Sequence, residues 1–500
     1  MSLTRQSLLS KAMRAFKWNA LGIVARIFLQ FGVMVVMARL IAPADFGFFG
    51  ASLLVYGLAV LVADQGLGMA LVQRKELDSD TRRIAWAWLI VSHLLIAGLI
   101  HAGAPLLAQW LGDPSLESGV RFMAVPLLIT ALMVLPMVEL RRRIDFRQIQ
   151  IAQVAGYFTG YVLVALPLAY YGWGGWSLVM ALLVQQLVMA ALCIHAAPQP
   201  LWPKWGRLPS GLPVFGMRVV GSNLANWLTE NLDNLLVARF KGVADLGVYS
   251  VSYNLARTPV NHVVNLIQQV VFSTSSRVQD DPDALRRGYL ALVKAIALVT
   301  LPVFIGAAVV SDVVIAALYG PKWAAAAPVF AALCVAMPFH ALMAVAGPVL
   351  WGAGRTTVEL KVQTGVAAAL LLTLWLLRHE SLSVLAWGVC AVYMLRAVWM
   401  TLALRRALAL PYLSLLRALH SPAWLALLAA LAMAGAQHVL AHTDLRSVLS
   451  LLLVMAAGAC SLLGVFLLWP RRVLGHELGF LAERLPILQR IAAFRVQGGK

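Results

Sequence analysis

The sequence predicts an all-α polytopic membrane protein, and three observations indicate this class: the composition, the number of long apolar runs and the distribution of positive charge. Of the 500 residues, 61% are hydrophobic and only 12% are charged, and the mean hydropathy is +0.82. A soluble domain is about half apolar and a quarter charged. Because backbone groups in lipid must be hydrogen-bonded within the chain, we expect the spans to be helices.

The apolar runs predict 14 transmembrane helices, arranged as two six-helix lobes followed by two C-terminal helices. Each run approaches the ~20 residues that a helix needs to cross the hydrocarbon core. The predicted spans lie near residues 18–40, 46–72, 84–110, 120–140, 151–171, 176–196, 214–238, 246–272, 288–311, 326–350, 359–377, 383–404, 422–441 and 446–469.

The same runs divide the chain into predicted segments. The N-terminal segment, 1–17, mixes basic and large apolar residues, which is typical of an amphipathic helix on a membrane surface. The remaining segments are an N-lobe (18–196), a cytoplasmic linker (197–213), a C-lobe (214–406), two extra helices (422–469) and a cytoplasmic tail (471–500).

Positive charge is strongly biased toward one side of the predicted spans. With the N-terminus inside, the inner gaps and tails hold 28 of the 40 Lys and Arg residues, and the outer gaps hold 7. Cytoplasmic loops carry such an excess, so we expect both termini in the cytoplasm. The bias also accounts for the net charge of +19, so no nucleic-acid partner is predicted.

Two segments that lie 200 residues apart resemble each other. "MARLIAPADFGFFGAS" (37–52) and "VARFKGVADLGVYSVS" (237–252) are identical at six of 16 positions. Six predicted spans separate them, so both lobes enter the membrane in the same orientation. Transporters built from such parallel repeats bind substrate between their halves. The alternative is a chance match of residues that are common in membrane helices.

The repeated segment has the features of a tight turn between two helices. Asp45 and Asp245 stand at the start of the second helix of each lobe, where a carboxylate can cap the helix. Gly47 and Gly247 follow, and glycine permits close approach of two helices. We therefore expect a structural role for this turn and no substrate contact.

Polar residues concentrate on one face of the first helix of each lobe. In the first lobe Asn19, Arg26 and Gln30 fall within about 40° of one another. The second lobe has a wider polar arc of about 160°, formed by Arg218, Ser222, Asn223, Asn226, Thr229, Glu230, Asp233 and Asn234. Such a face lines a water-filled cavity or is buried in internal salt bridges, for example between Arg218 or Arg257 and Glu230 or Asp233.

Arg26 is the sharpest candidate for a binding residue. Its own helix supplies no acid within one turn. The planar guanidinium donates two parallel hydrogen bonds, so an arginine in a cavity is a good receptor for phosphate or carboxylate.

The sequence lacks the motifs of common enzymes. It contains no HExxH, GxSxG or P-loop motif, and no predicted span carries His and carboxylate at metal-ligand spacing. The four cysteines stand in apolar runs without a CxxC pair. We therefore predict no catalytic residue, no metal site and no cofactor apart from a coupling ion.

Four segments together resemble a known family. They are "MARLIAPADFGFFGAS" (37–52), "DQGLGMALVQRKEL" (64–77), "RRRIDFRQI" (141–149) and "NLDNLLVARFKGVADLGVYSVSYNLARTP" (231–259). From about Ala12 to Arg406 the chain resembles the oligosaccharide-flippase (polysaccharide transporter) branch of the multidrug/oligosaccharidyl-lipid/polysaccharide exporter superfamily, and within it the exopolysaccharide exporters. Gln65 departs from the family pattern, which more often has an apolar residue there.

The resemblance implies a substrate and a location. The substrate would be an oligosaccharide repeat unit on an undecaprenyl diphosphate carrier, flipped from the inner to the outer leaflet of the bacterial cytoplasmic (inner) membrane by alternating access. Membrane lipids, a polysaccharide polymerase and a chain-length regulator would be its partners.

The resemblance also suggests roles for the polar residues within the spans. The cations would receive the diphosphate or acidic sugars, and the acids would bind a coupling H⁺ or Na⁺ or tether the arginines. Asp64 could instead form an ion pair with Arg74 or Lys75. The substrate-binding candidates are Arg26, Gln30, Arg218, Asn223, Asn226 and Arg257, and the ion-coupling candidates are Glu230, Asp233 and Asp64.

Three other functions fit parts of this pattern. A multidrug antiporter of the same superfamily would favour an acidic cavity, whereas the charges within the predicted spans are mixed. A flippase for the cell-wall lipid precursor would need a similar cavity. From another class, a membrane polymerase or ligase of lipid-linked sugars would need room for an acceptor outside the membrane, yet no predicted outer loop is long.

Overall fold

The computed structural model is helical throughout the part of the chain that it describes. That part comprises residues 2–74, 76–199, 202–209, 211–275, 282–352, 356–443, 447–470, 472–475 and 478. The chain forms two compact units, Met1–Ser250 (unit 1) and Val251–Lys500 (unit 2). The predicted lobe limits, 18–196 and 214–406, stay predictions, and most of the predicted tail lies outside the described residues.

Unit 1 contains the first ten α-helices and the beginning of the eleventh. Their bounds are α1 (Ser2–Leu40), α2 (Pro43–Ala63), α3 (Leu67–Gln73), α4 (Ser79–Leu111), α5 (Leu116–Phe122), α6 (Ala124–Arg142), α7 (Phe146–Tyr157), a π-helix (Phe158–Ala165), α8 (Leu166–Tyr170), α9 (Gly175–Ala196), α10 (Leu212–Lys241) and α11 (Val243–Ser275). Here α1 packs on α7, α9 packs on α6 and α7, and α2 packs against α4, α9 and α10.

Unit 2 begins within α11 and continues with helices alone among its described residues. Their bounds are α12 (Pro282–Val309), α13 (Ser311–Leu318), a 3₁₀-helix (Pro321–Trp323), α14 (Ala326–Gly352), α15 (Thr356–Leu376), α16 (Leu382–Leu408), α17 (Tyr412–Leu440) and α18 (Ser447–Leu468). In this unit α12 packs against α14 and α17, and α14 packs against α16.

Eleven helical segments among the described residues are long and apolar enough to cross a membrane. The all-α polytopic class predicted from the sequence is therefore confirmed. The helix α10 is also long enough, with 30 residues, but it falls outside this set because its polar arc lowers its hydropathy. A helix of this polarity is stable in a membrane only if its polar face is turned away from lipid.

Two predicted spans are each assigned to two helices in the structure. The span predicted over 46–72 consists of α2 and α3, separated at Asp64, Gln65 and Gly66. The backbone φ values there are +48° at Gln65 and +64° at Gly66, in the left-handed region. Residues in the left-handed region cannot continue a right-handed helix. The prediction of one continuous helix over 46–72 is therefore wrong at this point. The span predicted over 120–140 is divided only formally, between α5 and α6, because Met123 at the junction keeps a right-handed helical backbone.

The N-terminal segment runs directly into the first span. Helix α1 is continuous from Ser2 to Leu40, so the predicted amphipathic segment 1–17 and the first span are one element. The side chains of 1–17 lie outside the described residues.

The first copy of the repeated turn has the predicted helix cap, and the capping role of Asp245 in the second copy stays a prediction. Its helices α2 and α11 begin at Pro43 and Val243, which are 200 residues apart. Asp45 caps α2 from the third helical position, where its Oδ2 accepts a hydrogen bond from the Ala42 N–H at 2.9 Å. Its Oδ1 accepts a second bond, from the Gly175 N–H at 2.8 Å, and so joins α2 to the start of α9.

Candidate functional site

Unit 1 contains a partly open cavity of about 770 Å³ with many polar lining residues, called the polar cavity below. Side chains from α1, α2, α3, α4, α6, α7, α9 and α10 surround it. Its polar lining residues are Arg26, Gln30, Tyr56, Asp64, His93, Thr130, Arg141, Gln153, Gln185, Gln186, Asn223, Asn226, Trp227 and Glu230. This volume is within the range of about 300–1,000 Å³ that is usual for ligand sites.

The cavity brings together most of the residues that the sequence singled out. Six of the nine candidates line it: Arg26, Gln30, Asp64, Asn223, Asn226 and Glu230. They come from α1, the α2–α3 break and α10, so the two polar faces predicted from the sequence meet the same space.

The other three candidates lie elsewhere in the described structure. Arg218 is exposed near the start of α10. Asp233 is only 2% exposed and accepts a hydrogen bond from the hydroxyl of Tyr249 at 2.9 Å. Arg257 belongs to unit 2, where its guanidinium lies 5.3 Å from the ring centre of Tyr253. Their predicted roles stay predictions.

The polar stripe of α1 is bound to α7. The Arg26 guanidinium donates a hydrogen bond to Oε1 of Gln153 at 2.7 Å, and Gln150 Nε2 donates to Oδ1 of Asn19 at 2.7 Å. Between these two bonds Gly22 faces Gln150 so closely that an added Cβ would overlap the glutamine side chain. The neutral partner holds the Arg26 side chain in the cavity without cancelling its charge.

Asp64 lies where the α2–α3 break meets the cavity. Its Oδ1 lies 3.2 Å from the position that a Cβ at Gly68 would take, and Arg141 lines the same cavity. The sequence suggested Arg74 or Lys75 as its partner, and Lys75 lies outside the described residues. Gln65, the departure from the family pattern, donates a hydrogen bond from Nε2 to Oγ of Ser92 at 2.9 Å and so joins the break to α4.

Several cavity residues were missed by the sequence reasoning. Arg141, which is not among the predicted candidates, stands in the last turn of α6 and lines the cavity. Gln153, Gln185 and Gln186 were missed because they were not recognised as part of a polar stripe on their helices. Glutamine inside an apolar run was the signal that could have found them, since an amide in lipid also needs a polar partner.

His93 contributes a defined hydrogen-bonding group. The side chain is 1% exposed, and its Nδ1 lies 2.8 Å from the carbonyl oxygen of Leu89. A carbonyl only accepts, so this contact assigns the proton to Nδ1 and leaves Nε2 as an acceptor in the neutral ring. The cavity lining thus combines two arginines, two acids, several amides and aromatic rings, which suits a polar ligand.

Sequence comparison places the chain among proteins of bacterial polysaccharide synthesis. It is similar to the lipopolysaccharide biosynthesis protein WzxC of Escherichia coli K12, with 26% identity over 71% of this chain and 73% of the relative. The teichuronic acid biosynthesis protein TuaB of Bacillus subtilis 168 is 25% identical over 76% and 80% of the two chains. The succinoglycan biosynthesis transport protein ExoT of Rhizobium meliloti 1021 is 26% identical over 68% and 69%.

Two solved structures share the fold. The lipid II flippase MurJ, in an inward closed conformation, matches with a TM-score of 0.71 and 10% identity over 90% of this chain and 99% of that chain. An inward-facing multidrug resistance MATE family transporter of the MOP superfamily matches with a TM-score of 0.61 and 14% identity over 76% and 94%. At these identities the likeness establishes the fold alone.

The family model for "Polysaccharide biosynthesis protein" matches residues 36–328. This range covers more than half of the chain and includes both copies of the repeated turn. It also includes α10 and all the cavity residues except Arg26 and Gln30. The chain belongs to this polysaccharide biosynthesis protein family.

Proposed function

We propose that the protein flips undecaprenyl-diphosphate-linked oligosaccharide repeat units from the inner to the outer leaflet by alternating access, for surface or exopolysaccharide biosynthesis. The chain is a multi-pass bacterial inner-membrane transporter of polysaccharide biosynthesis rather than an enzyme. The observation that carries the proposal is the polar cavity, where Arg26 and Arg141 stand among amides inside a membrane-spanning unit.

The cavity chemistry fits the head of such a substrate. A diphosphate needs planar donors with positive charge, and arginine binds phosphate through paired hydrogen bonds. The bond from Arg26 to Gln153 fixes one such group. Sugar hydroxyls need donors and acceptors together, which the amides of Gln185, Asn223 and Asn226 supply.

We propose H⁺ or Na⁺ as the coupling ion and no organic cofactor. Of the three acidic candidates, Asp64 and Glu230 line the cavity, so an ion bound there would be close to the substrate. Asp233 already accepts bonds from Tyr249 and from the backbone and side chain of Asn234. We therefore propose ion coupling at Asp64 or Glu230, because they line the cavity, and a structural role at Asp233, which is buried outside that lining.

The proposed architecture has 14 spans in two parallel six-helix lobes, followed by two further helices. The helices α2 and α11 begin at equivalent positions of the two copies of the turn, 200 residues apart, and this supports the parallel repeat. The bias of basic residues supports cytoplasmic termini. A polysaccharide polymerase and a chain-length regulator are the proposed protein partners, because a flipped repeat unit must be joined to others outside the membrane.

The nearest alternative is export of small cations by a multidrug antiporter. Such a cavity would be predominantly acidic, whereas this one has Arg26 and Arg141 beside Asp64 and Glu230. A flippase for the cell-wall lipid precursor shares the diphosphate-linked head, so the test must separate these two lipid substrates.

The test is deletion of the gene in a host that makes the polymer, followed by complementation. We expect loss of surface polymer and accumulation of single lipid-linked repeat units on the inner leaflet, protected from reagents added outside spheroplasts. Complementation with Arg26→Gln should not restore surface polymer and should leave the repeat units accumulated, although the variant reaches wild-type abundance. Repeat units that are accessible outside would indicate a lost polymerase, and accumulated cell-wall precursor with normal polymer would indicate the other flippase.

A further inference from the structure

A second concavity in unit 1, the apolar groove, lies among α2, α4 and α10 and has a volume of about 560 Å³. All its described lining side chains are apolar: Ala51, Leu54, Val55, Leu58, Ala59, Val62, Ile96, Leu99, Ile100, Leu107, Trp110, Leu111, Trp227, Leu228 and Leu235. Along α4 the lining extends over residues 96–111, or about 22 Å at 1.5 Å per residue. This is much of the ~30 Å hydrocarbon core.

Trp227 is common to the apolar groove and the polar cavity. A Cβ at Gly57 of α2 would lie 3.3 Å from Nε1 of this indole, so the edge of the ring packs directly against Gly57. On α10, Asn226 faces the cavity on one side of the ring and Leu228 faces the groove on the other. The indole has an apolar body and a polar N–H, so it suits a boundary of this kind.

We propose that the apolar groove holds the hydrocarbon chain of the lipid carrier while the diphosphate and sugars occupy the polar cavity, with the link between them passing Trp227. This inference rests on the proposed function. Any helix surface that faces lipid is apolar, but this surface is concave and adjoins the polar cavity at one side chain, Trp227. An amphipathic ligand needs these two adjoining compartments, because a prenyl chain inside the cavity would strip water from charged groups.

The groove acts by position rather than by strength of binding. Lipid tails are as apolar as leucine, so a chain that leaves the bilayer for the groove gains no hydrophobic free energy. The groove instead sets the depth and direction of the chain, and thereby the depth at which the diphosphate enters. Blocking the groove should therefore displace the chain without abolishing the affinity of the cavity for the head.

The experiment uses the full-length protein in lipid nanodiscs and two photoactivatable probes. The first is an undecaprenyl diphosphate disaccharide with a diazirine on its prenyl chain, and the second is phosphatidylglycerol with a diazirine on an acyl chain. Cross-linked residues are located by mass spectrometry. We expect the first probe to label the groove walls on α4 and α10. Unlabelled undecaprenyl diphosphate disaccharide should compete this label away, and phosphatidylglycerol should not.

A matched pair of variants on α4 tests the position. Leu99 lines the groove and is 67% exposed, whereas Leu95, one turn earlier, lies outside it and is 63% exposed. Leu99→Trp should remove the groove label, and Leu95→Trp should leave it unchanged. Leu228→Trp should block the same groove from α10, and it replaces Leu99→Trp in the experiment if Leu99→Trp does not fold.

The outcomes separate the inference from the function on which it rests. If the disaccharide probe binds in an Arg26-dependent way but labels other surfaces, the groove assignment is overturned and the flippase proposal stands. Equal groove labelling by both probes, with competition by phosphatidylglycerol, would mean that ordinary lipid covers the groove and would also overturn it. If the wild-type protein does not bind the disaccharide probe at all, both proposals fail.

Discussion

Gly47 and Gly247 pack against each other's helices in a reciprocal contact. A Cβ at Gly47 would overlap the carbonyl oxygen of Val243, and a Cβ at Gly247 would overlap that of Pro43. Pro43 and Val243 are the first residues of α2 and α11, and both pairs of equivalent positions are 200 residues apart. A contact in which position i meets j and j meets i is the signature of two-fold symmetry. The repeated turn is thus explained by packing, since each glycine admits the backbone of the other copy.

The first prediction concerns this crossing of helices. Gly47→Ala and Gly247→Ala should each destabilise the protein by about 1–3 kcal/mol or more, because backbone atoms must move to admit the methyl group. The measurement is the thermal unfolding midpoint of the purified protein, followed by tryptophan fluorescence in detergent.

Gly98→Ala on α4 is the matched control for that experiment. Apart from the nearby backbone of α4 itself, no atom of the described residues lies within 4 Å of the Cβ position at Gly98. Alanine should therefore be neutral or stabilising there, by up to about 1 kcal/mol, through its higher helix propensity. If Gly47→Ala melted at or above the temperature of Gly98→Ala, the close crossing would be refuted.

The second prediction concerns Asp45, whose two carboxylate oxygens accept hydrogen bonds from the N–H groups of Ala42 and Gly175. Asp45→Ala should cost about 2 kcal/mol, because it removes a helix cap and leaves a second donor without its partner. Asp45→Asn retains one acceptor and should lose less. Chemical denaturation in detergent measures both variants, and equal stability of Asp45→Ala and wild type would contradict the assignment.

The third prediction concerns acid stability and Asp78, the N-cap of α4. Its carboxylate accepts hydrogen bonds from the side chain and backbone of Thr81, and these bonds hold the pKa of Asp78 below its ordinary value of 3.8. A lowered folded-state pKa stabilises the fold at pH values above the ordinary pKa, and this stabilisation is lost as pH falls through the folded value.

Asp78→Asn should therefore flatten part of the acid limb of a plot of unfolding midpoint against pH, at and below about pH 4. Near neutral pH this variant should be slightly less stable than wild type, because a neutral amide interacts less favourably with the positive end of the helix dipole. Superimposable pH profiles for the two proteins would exclude the proposed contribution of Asp78.

The fourth prediction separates two neighbours in the "RRR" motif. The Nη1 of Arg142 donates to the carbonyl oxygen of Leu71 at 2.9 Å and also to that of Arg74, so it satisfies the end of α3. Arg143 pairs with Glu139 on the same helix, at 2.6 Å, with a side chain that is 58% exposed. Arg142→Ala should destabilise the protein by about 2 kcal/mol, and Arg143→Ala by less than about 0.5 kcal/mol.

The two single variants have the same loss of net charge, so a general effect of the basic cluster on topology would move both equally. Equal unfolding midpoints for Arg142→Ala and Arg143→Ala would show that the bonds to α3 contribute nothing measurable. A lower midpoint for Arg142→Ala alone would assign this arginine to the packing of α3 and α6.

The sequence by itself determined the membrane class and the polar faces of single helices. These are local or periodic properties: an apolar run long enough to cross a bilayer, or a polar arc on one helix, is visible from residue spacing alone. The face of α10 that carries Asn223, Asn226 and Glu230 was identified in this way, and so was the stripe that contains Arg26.

Only the tertiary structure decided which polar groups meet. Periodicity shows which residues share a face of one helix, but the helix that opposes that face is chosen by packing. Packing placed Gln153 on Arg26 and brought Arg141 to the same cavity as Asp64. It also broke the second span at Gln65 and Gly66, next to the Asp64 carboxylate that lines the cavity. It also buried Asp233 against Tyr249, although both Asp233 and Glu230 belong to one polar arc in the sequence, because that arc is wide enough to face both a cavity and a neighbouring helix.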